Sequence, residues 1–335
     1  MKSIRLAIVG CGGYVRRHLR DINDHVPEFR VVALVDSVKD KAQSLRKELL
    51  SRRRVAMYDD HRKMLSEVRP DAVIVATPHT LHYTHARDAI RAGAHVLVEK
   101  PMVTDSHQAR RLVAAAARHN RSVQIGIQGT YTDTFAYARR LLADGQIGPL
   151  QLVTGILAQG WMKGTAGTWR QKLKLSGGGQ LYDSTAHVLS SMMFLVDSPV
   201  REVSCFTDNR GTEVDINAVG WIRFANGCLG TITSGGNCAG WYSHLVLQTE
   251  GAVMEISPHG GNFRVAGRGM EEITAVPKGF DVPTVTPARN FADVILGRDE
   301  PRCPASLGML LADLMDALYA SAKTGRPVKV KGDKP

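Results

Sequence analysis

The first third of the chain alternates short apolar runs with helix-length amphipathic segments, and no other feature restricts the fold as much. Arg5 to Gly10 reads as a strand, Tyr14 to Asp24 as a helix, Phe29 to Asp36 as a strand and Lys39 to Leu50 as a helix. Asp71 to Thr77 is an apolar strand stopped by Pro78, and Thr84 to Ala92 is a helix closed by Gly93. His95 to Glu99 is again a strand, Asp105 to His119 an alanine-rich helix, and Val123 to Gly126 the sixth strand. Parallel strands need long crossovers, usually helical, so this rhythm predicts a doubly wound parallel α/β sheet. Its ligand crevice should lie at the carboxyl ends of the strands.

Beyond Gly126 the rhythm changes. A helix from Phe135 to Asp144 ends at Gly145, and another is expected from Gln180 to Leu195. Alternating β-type stretches then follow at Val200–Thr207, Ile216–Phe224, Cys228–Ser234, His244–Thr249 and Gly251–Ile256. Asn226-Gly227 between two of them is a strong hairpin signal. No helical crossovers separate these strands, so the second part is expected to be an α/β domain with a large, mainly antiparallel open sheet. A final helix spans Ala305 to Lys323, and Pro283 to Pro287 is a proline-marked loop. The expected domains are 1–125 and 126–335.

A length of 335 residues suits two such domains, each able to bury its own core. With 44% hydrophobic and 22% charged residues the composition is that of an ordinary globular protein. No run approaches the roughly 18 apolar residues of a membrane span, and the amino terminus enters a strand directly, so a cytoplasmic location without membrane partners is expected. Five scattered cysteines without a C-x-x-C pair argue for reduced thiols instead of a disulfide framework or zinc site. The net charge of +11 is spread out. Its one dense cluster, Arg52-Arg53-Arg54, lacks interleaved aromatic residues, which argues against nucleic acid and leaves an anionic cofactor or substrate as the basic surface's partner.

Gly10-Cys11-Gly12-Gly13-Tyr14-Val15 stands between the first strand and the first helix, where close backbone approach and a helix amino terminus suit a pyrophosphate. Val15 takes the place of the third glycine of G-x-G-x-x-G, so the strict fingerprint fails while Gly10 and Gly12 hold. Asp36 ends the second strand, where a carboxylate accepts ribose hydroxyls and repels a 2′-phosphate, favouring NAD. Lys39 nearby could pair with such a phosphate, which leaves NADP open. Thr77, Pro78 and His79 leave the next strand at the crevice edge. His79, His82 and His85 recur every third residue, but steps of three drift by about 60° around a helix, so convergence on a metal is not expected. His82 is the best functional candidate of the three.

Lys100 closes the strand that ends in Glu99, with Pro101 after it. A lysine there can stabilise negative charge developing on a substrate oxygen, or simply pair with Glu99 on the surface. Asp183 and His187 are four apart on the expected helix, within about 40° of each other on one face, behind Gly177-Gly178-Gly179. A histidine can take the proton from a carbinol as hydride leaves, with Asp183 orienting it or binding a neighbouring hydroxyl. A purely structural Asp–His pair would show the same spacing.

Together, Lys100 within Glu-Lys-Pro, the preceding Ala92-Gly93-Ala94-His95-Val96-Leu97, the Ala76-Thr77-Pro78 turn, and Gly-Gly-Gly-Gln-Leu-Tyr-Asp followed by His187 resemble the Gfo/Idh/MocA oxidoreductases from Ile4 to about Leu195. The resemblance implies a Rossmann domain followed by an α/β domain whose open sheet forms a homodimer or homotetramer. It also implies a catalytic group of Lys100, Asp183 and His187, with His187 as proton acceptor. Thr168-Trp169-Arg170 resembles a stretch near the family's substrate, and Gln128 and Tyr131 are expected beside the same crevice. The cofactor set is then Gly10, Gly12, Gly13, Tyr14, Val15, Asp36, Thr77, Pro78, His79, His82, Glu99 and Lys100. The substrate set is Lys100, Gln128, Tyr131, Trp169, Arg170, Asp183 and His187. The expected activity is NAD-dependent hydride transfer at a secondary alcohol or ketone of a sugar, cyclic polyol or related compound. The alternatives are an NAD-retaining glycosidase of the same fold and a non-catalytic NAD or sugar sensor.

Overall fold

The computed structural model describes residues 3–51, 53–127 and 129–330. The chain divides into two units, the first reaching Gly126 and taking back Val285–Ala305, the second holding Ile127–Thr284 and the residues from Ser306 onward. In chain order the first unit contains β1 (Ile4–Val9), α1 (Val15–His25), β2 (Phe29–Val35), α2 (Lys39–Leu49), β3 (Ala56–Tyr58), α3 (His61–Val68), β4 (Ala72–Val75), α4 (His82–Arg91), β5 (His95–Glu99), α5 (Ser106–His119) and β6 (Val123–Gly126). All pairings in the sheet are parallel, in the order β3-β2-β1-β4-β5-β6. β4 and β6 are buried along their whole length, as strands covered on both faces must be. The helices follow from spacing and caps. Val15, His18, Leu19 and Ile22 put the buried stripe of α1 at steps of three and four. The Asp60 and Asp105 carboxylates accept the first-turn N–H groups of Lys63 and Gln108, starting α3 and α5.

The pattern left residues between Leu50 and Asp71 unassigned, and β3 and α3 lie there. β3 is three residues long and largely exposed, too short to show an alternation.

The second unit opens with α6 (Asp133–Ala143) and β7 (Leu150–Ala158), followed by the short helical turns α7 (Trp161–Gly164), α8 (Leu173–Ser176) and α9 (Gln180–Asp183) and the longer α10 (Thr185–Val196). Then come β8 (Val200–Asp208), β9 (Asn217–Phe224), β10 (Leu229–Gly235), β11 (Tyr242–Thr249), β12 (Ala252–Ile256) and β13 (Phe263–Gly267). The chain continues through α11 (Pro287–Ile295) to α12 (Ala305–Thr324) and β14 (Val328–Lys329). The eight strands run β13-β12-β11-β7-β10-β9-β8-β14, antiparallel except where β7 and β10 pair in parallel. The Asn226-Gly227 hairpin joins β9 to β10, with Gly227 at φ +90°. β7, which the pattern missed, is central. Its Gly155 lets Val188 and Met192 of α10 press onto the strand, because a Cβ there would stand 2.7 Å from Val188. A glycine in mid-strand hides the alternation by which strands are recognised.

The first compact unit runs to Gly126 and takes back α11, where Phe291 packs on Phe29 with ring centroids 5.9 Å apart and Arg289 meets Glu28 at 2.7 Å. The helix expected over Gln180–Leu195 is two, α9 and α10, parted at Ser184. Among the described residues no helix is long and apolar enough to cross a membrane.

Candidate active site

The glycine loop follows β1 in the first unit. Gly10 has φ +98°, and a Cβ on it would lie 2.5 Å from the Ala76 carbonyl oxygen, so the turn itself demands glycine. Gly12 and Gly13 differ: a Cβ on either meets no atom within 4 Å. Their lack of a side chain leaves the amino terminus of α1 open to close approach, and no side chain caps that terminus. Asp36 lies beside the loop. Its Oδ2 accepts the Cys11 N–H at 2.8 Å and its Oδ1 the Val38 N–H at 2.9 Å, so the carboxylate joins the loop to the start of α2 while staying partly exposed. These are the features a dinucleotide requires: a clear helix amino terminus for the pyrophosphate and a fixed acceptor at the next strand end. Val15 is fully buried in the first unit's core, so the residue replacing the third glycine packs the first turn of α1. Tyr14 is exposed and meets the His18 ring edge-on. The Cys11 thiol is pushed up to about 12, by burial and then by the Asp36 carboxylate, and is inert.

At the ends of β4 and β5 the histidines serve the backbone. His82 is 0% exposed, with Nδ1 2.7 Å from the Pro101 carbonyl oxygen and Nε2 2.8 Å from that of Thr77. Burial, then His79, lowers its pKa to about 3, against the two carbonyl oxygens, which act to raise it. His82, expected among the cofactor residues, is thus enclosed by backbone at this strand end. The ring braces the Thr77 turn against the segment after Lys100, whose peptide bond to Pro101 is cis. His79 is also buried and packs edge-on against His82 at 5.8 Å. Thr77 Oγ1 lies 3.0 Å from His85 Nδ1, and Thr77 and Pro78 are partly exposed. Glu99 is turned inward to His18 Nε2 at 2.5 Å, beside Gly126, in place of the surface pair with Lys100. Lys100 is partly exposed at the carboxyl end of the sheet. Among the described residues no three histidine, cysteine or acidic side chains form a group that could hold a metal ion.

Asp183 and His187 belong to the second unit. Asp183 ends α9 and is 5% exposed; its Oδ2 accepts the Trp161 indole N–H at 2.8 Å and the Arg170 Nε–H at 3.0 Å. Arg170 in turn lies over the Trp169 ring at 4.5 Å. Arg170, expected near the substrate, therefore gives one N–H to Asp183 while staying partly exposed. His187, 8% exposed in the first turn of α10, packs edge-on against His259 at 4.9 Å, and His259 against the exposed Trp241 at 5.0 Å. Ser243 Oγ sits 2.8 Å from His259 Nδ1. His259 was not foreseen, since a single histidine in a Pro-His-Gly-Gly turn carries no motif. Tyr131 is 1% exposed, and Gln128 lies outside the described residues.

Residues 4–127 match the model of an oxidoreductase family with an NAD-binding Rossmann fold, and residues 135–260 match the GFO/IDH/MocA C-terminal domain. D-glucoside 3-dehydrogenase of Escherichia coli (strain K12) is 25% identical over 98% of this chain and 97% of its own length. The 2,7-anhydro-N-acetylneuraminate hydratase of Mediterraneibacter gnavus is 28% identical over 80% of this chain and 71% of its own. In three dimensions the chain resembles the WlbA dehydrogenase from Bordetella pertussis, solved with NADH and UDP-GlcNAcA, at a TM-score of 0.84 and 22% identity over 99% of this chain and 100% of that one. With both units matched by models of one family, and with the parallel sheet and the eight-stranded sheet each in place, the chain belongs to the Gfo/Idh/MocA oxidoreductases.

Proposed function

We propose that this protein is an NAD-dependent dehydrogenase of a secondary alcohol carried by a sugar or cyclic polyol. The observation that carries the proposal is the second unit's pair of buried ionisable residues, Asp183 and His187, set at a break between two helices and held by Trp161, Arg170 and His259. Packing alone would favour apolar residues there, because burying polar groups costs free energy unless each is satisfied. NAD, when bound, supplies the acceptor or donor of the hydride. The backbone at Gly12 and Gly13 and the amino terminus of α1 hold the pyrophosphate, and Asp36 accepts the ribose hydroxyls. Lys100 donates a hydrogen bond to the substrate oxygen and stabilises charge developing on it. His187 exchanges the hydroxyl proton, and Asp183 fixes a neighbouring hydroxyl or the histidine.

The test begins with fluorescence titrations of NADH and NADPH, read by energy transfer from the tryptophans, followed by turnover with NAD on methyl D-glucosides and inositols. Lys100→Ala should lower turnover by about 100-fold or more while nucleotide affinity stays within a few-fold. Loss of nucleotide binding in that variant, or full activity, sinks the assignment. The hydratase relative favours one second reading, in which oxidation is transient and NAD is regenerated within the turnover. Product formed without net NADH identifies it.

The second unit's sheet supports a homo-oligomer. Phe206, Val219, Leu152, Leu229 and Val253 lie exposed on the strand face away from the core, with Phe206 opposite Val219 and Leu229 opposite Leu152. A second copy of the chain covering this face removes that apolar surface from water.

A further inference from the structure

We infer that Asp215 and Tyr319 form a latch that sets the position of Asp183 and His187, making both positioning residues for the proposed reaction. The inference rests on the roles proposed above for those two side chains.

Asp215 lies just before β9 and is 3% exposed. Its Oδ1 accepts the Gly179 N–H at 2.7 Å and the Tyr319 hydroxyl at 2.6 Å, its Oδ2 accepts the Leu181 N–H at 2.8 Å, and its own carbonyl accepts the Gln180 N–H at 2.9 Å. One residue therefore takes three successive N–H groups at the start of α9. α9 is only four residues long and follows three glycines, so the local chain has little intrinsic reason to hold one shape. The glycines answer to the latch: a Cβ on Gly179 would overlap the Asp215 carbonyl, and one on Gly178 the Tyr319 hydroxyl. Tyr319, carried by α12, also stacks on Tyr182 at 5.8 Å and 16°. Burial, then the Asp215 carboxylate, raises the Tyr319 pKa well above its ordinary value, so the phenol remains a donor throughout the neutral range. The path is continuous within one unit. It runs from Tyr319 to Asp215, through Gly179 and α9 to Asp183, and across Ser184 into the turn that bears His187. A reacting group displaced by about 1 Å can lose about 100-fold in rate, so an anchor at the root of this short helix governs turnover without touching substrate.

The test compares Tyr319→Phe and Asp215→Asn with the parent protein. Tyr319→Phe removes one hydroxyl and keeps the stacking, so it decides the matter even if Asp215→Asn fails to fold. The first readout needs no substrate: the ring resonance of His187 in carbon–proton spectra of histidine-labelled protein, assigned with His187→Ala. It should shift and broaden in Tyr319→Phe while the melting temperature stays within a few degrees. The second is turnover on methyl D-glucosides and inositols, where kcat should fall about 10- to 100-fold with NADH affinity unchanged. A His187 resonance that stays put in the folded variants overturns the latch, as does a shifted resonance with unaltered kcat. Full activity in His187→Ala and Lys100→Ala would instead remove the proposed function, and so separates the two failures.

Discussion

Two glycines two residues apart answer to different forces. Gly10 sits at φ +98° with the Ala76 carbonyl 2.5 Å from where a Cβ would be, whereas a Cβ on Gly12 meets nothing within 4 Å. Gly10→Ala should therefore destabilise the first unit by about 1–3 kcal/mol, because an L-residue is strained there even without the clash. Gly12→Val should leave the melting temperature near that of the parent and weaken NADH binding at least tenfold, since its added bulk enters the open space proposed for the nucleotide. Melting curves and NADH titrations on the two variants check the pair; a stability loss in Gly12→Val equal to that in Gly10→Ala would deny the distinction. Both glycines were legible in the sequence because the loop's demands are local. His82 and Glu99 were not, since their partners lie 19 and 81 residues away in the chain.

Among the elements, α11 shows how a segment distant in sequence completes a sheet domain. Arg289 bonds Glu28 at 2.7 Å and Asp293 at 2.7 Å, Arg298 reaches Glu28 at 2.8 Å, and the Gln124 side chain of β6 donates to Asn290 at 2.5 Å. The Arg289 hydrogen bond, opposed by burial and aided by Arg298, lowers the Glu28 pKa from 4.5 to about 2. A carboxylate depressed in the folded state stabilises the fold fully above its unfolded pKa. That contribution is lost as pH falls from about 4.5 through about 2, and a shift of this size corresponds to about 3 kcal/mol. Glu28→Gln should lower stability at pH 7 and flatten the loss between pH 5 and 2 relative to the parent. Urea midpoints across that range report it, and parallel curves for the two proteins would show that Glu28 is not responsible. The sequence pattern left α11 unassigned after the proline-marked loop, and periodicity in any case carries no information on which unit a helix joins.

For the whole molecule, the exposed face of the eight-stranded sheet is the feature with the largest consequence. Phe206 is 63% exposed opposite the exposed Val219. Phe206→Glu should convert the proposed oligomer to a monomer in light scattering while leaving NADH binding intact, because burying an unpaired carboxylate in an apolar contact is costly. A parent protein that is monomeric at micromolar concentration would remove the proposed assembly. The sequence by itself determined the βαβ rhythm, the glycine turn, Asp36, the hairpin at Asn226-Gly227 and the Lys100, Asp183 and His187 candidates, because each is written in spacings of a few residues. Tertiary structure alone decided that His82 braces backbone, that Glu99 faces His18, that α11 rejoins the first unit, that the expected helix breaks at Ser184, and that Asp215 clamps the glycine turn. Those outcomes depend on which buried donors and acceptors must satisfy one another across the fold, and no local pattern encodes that pairing.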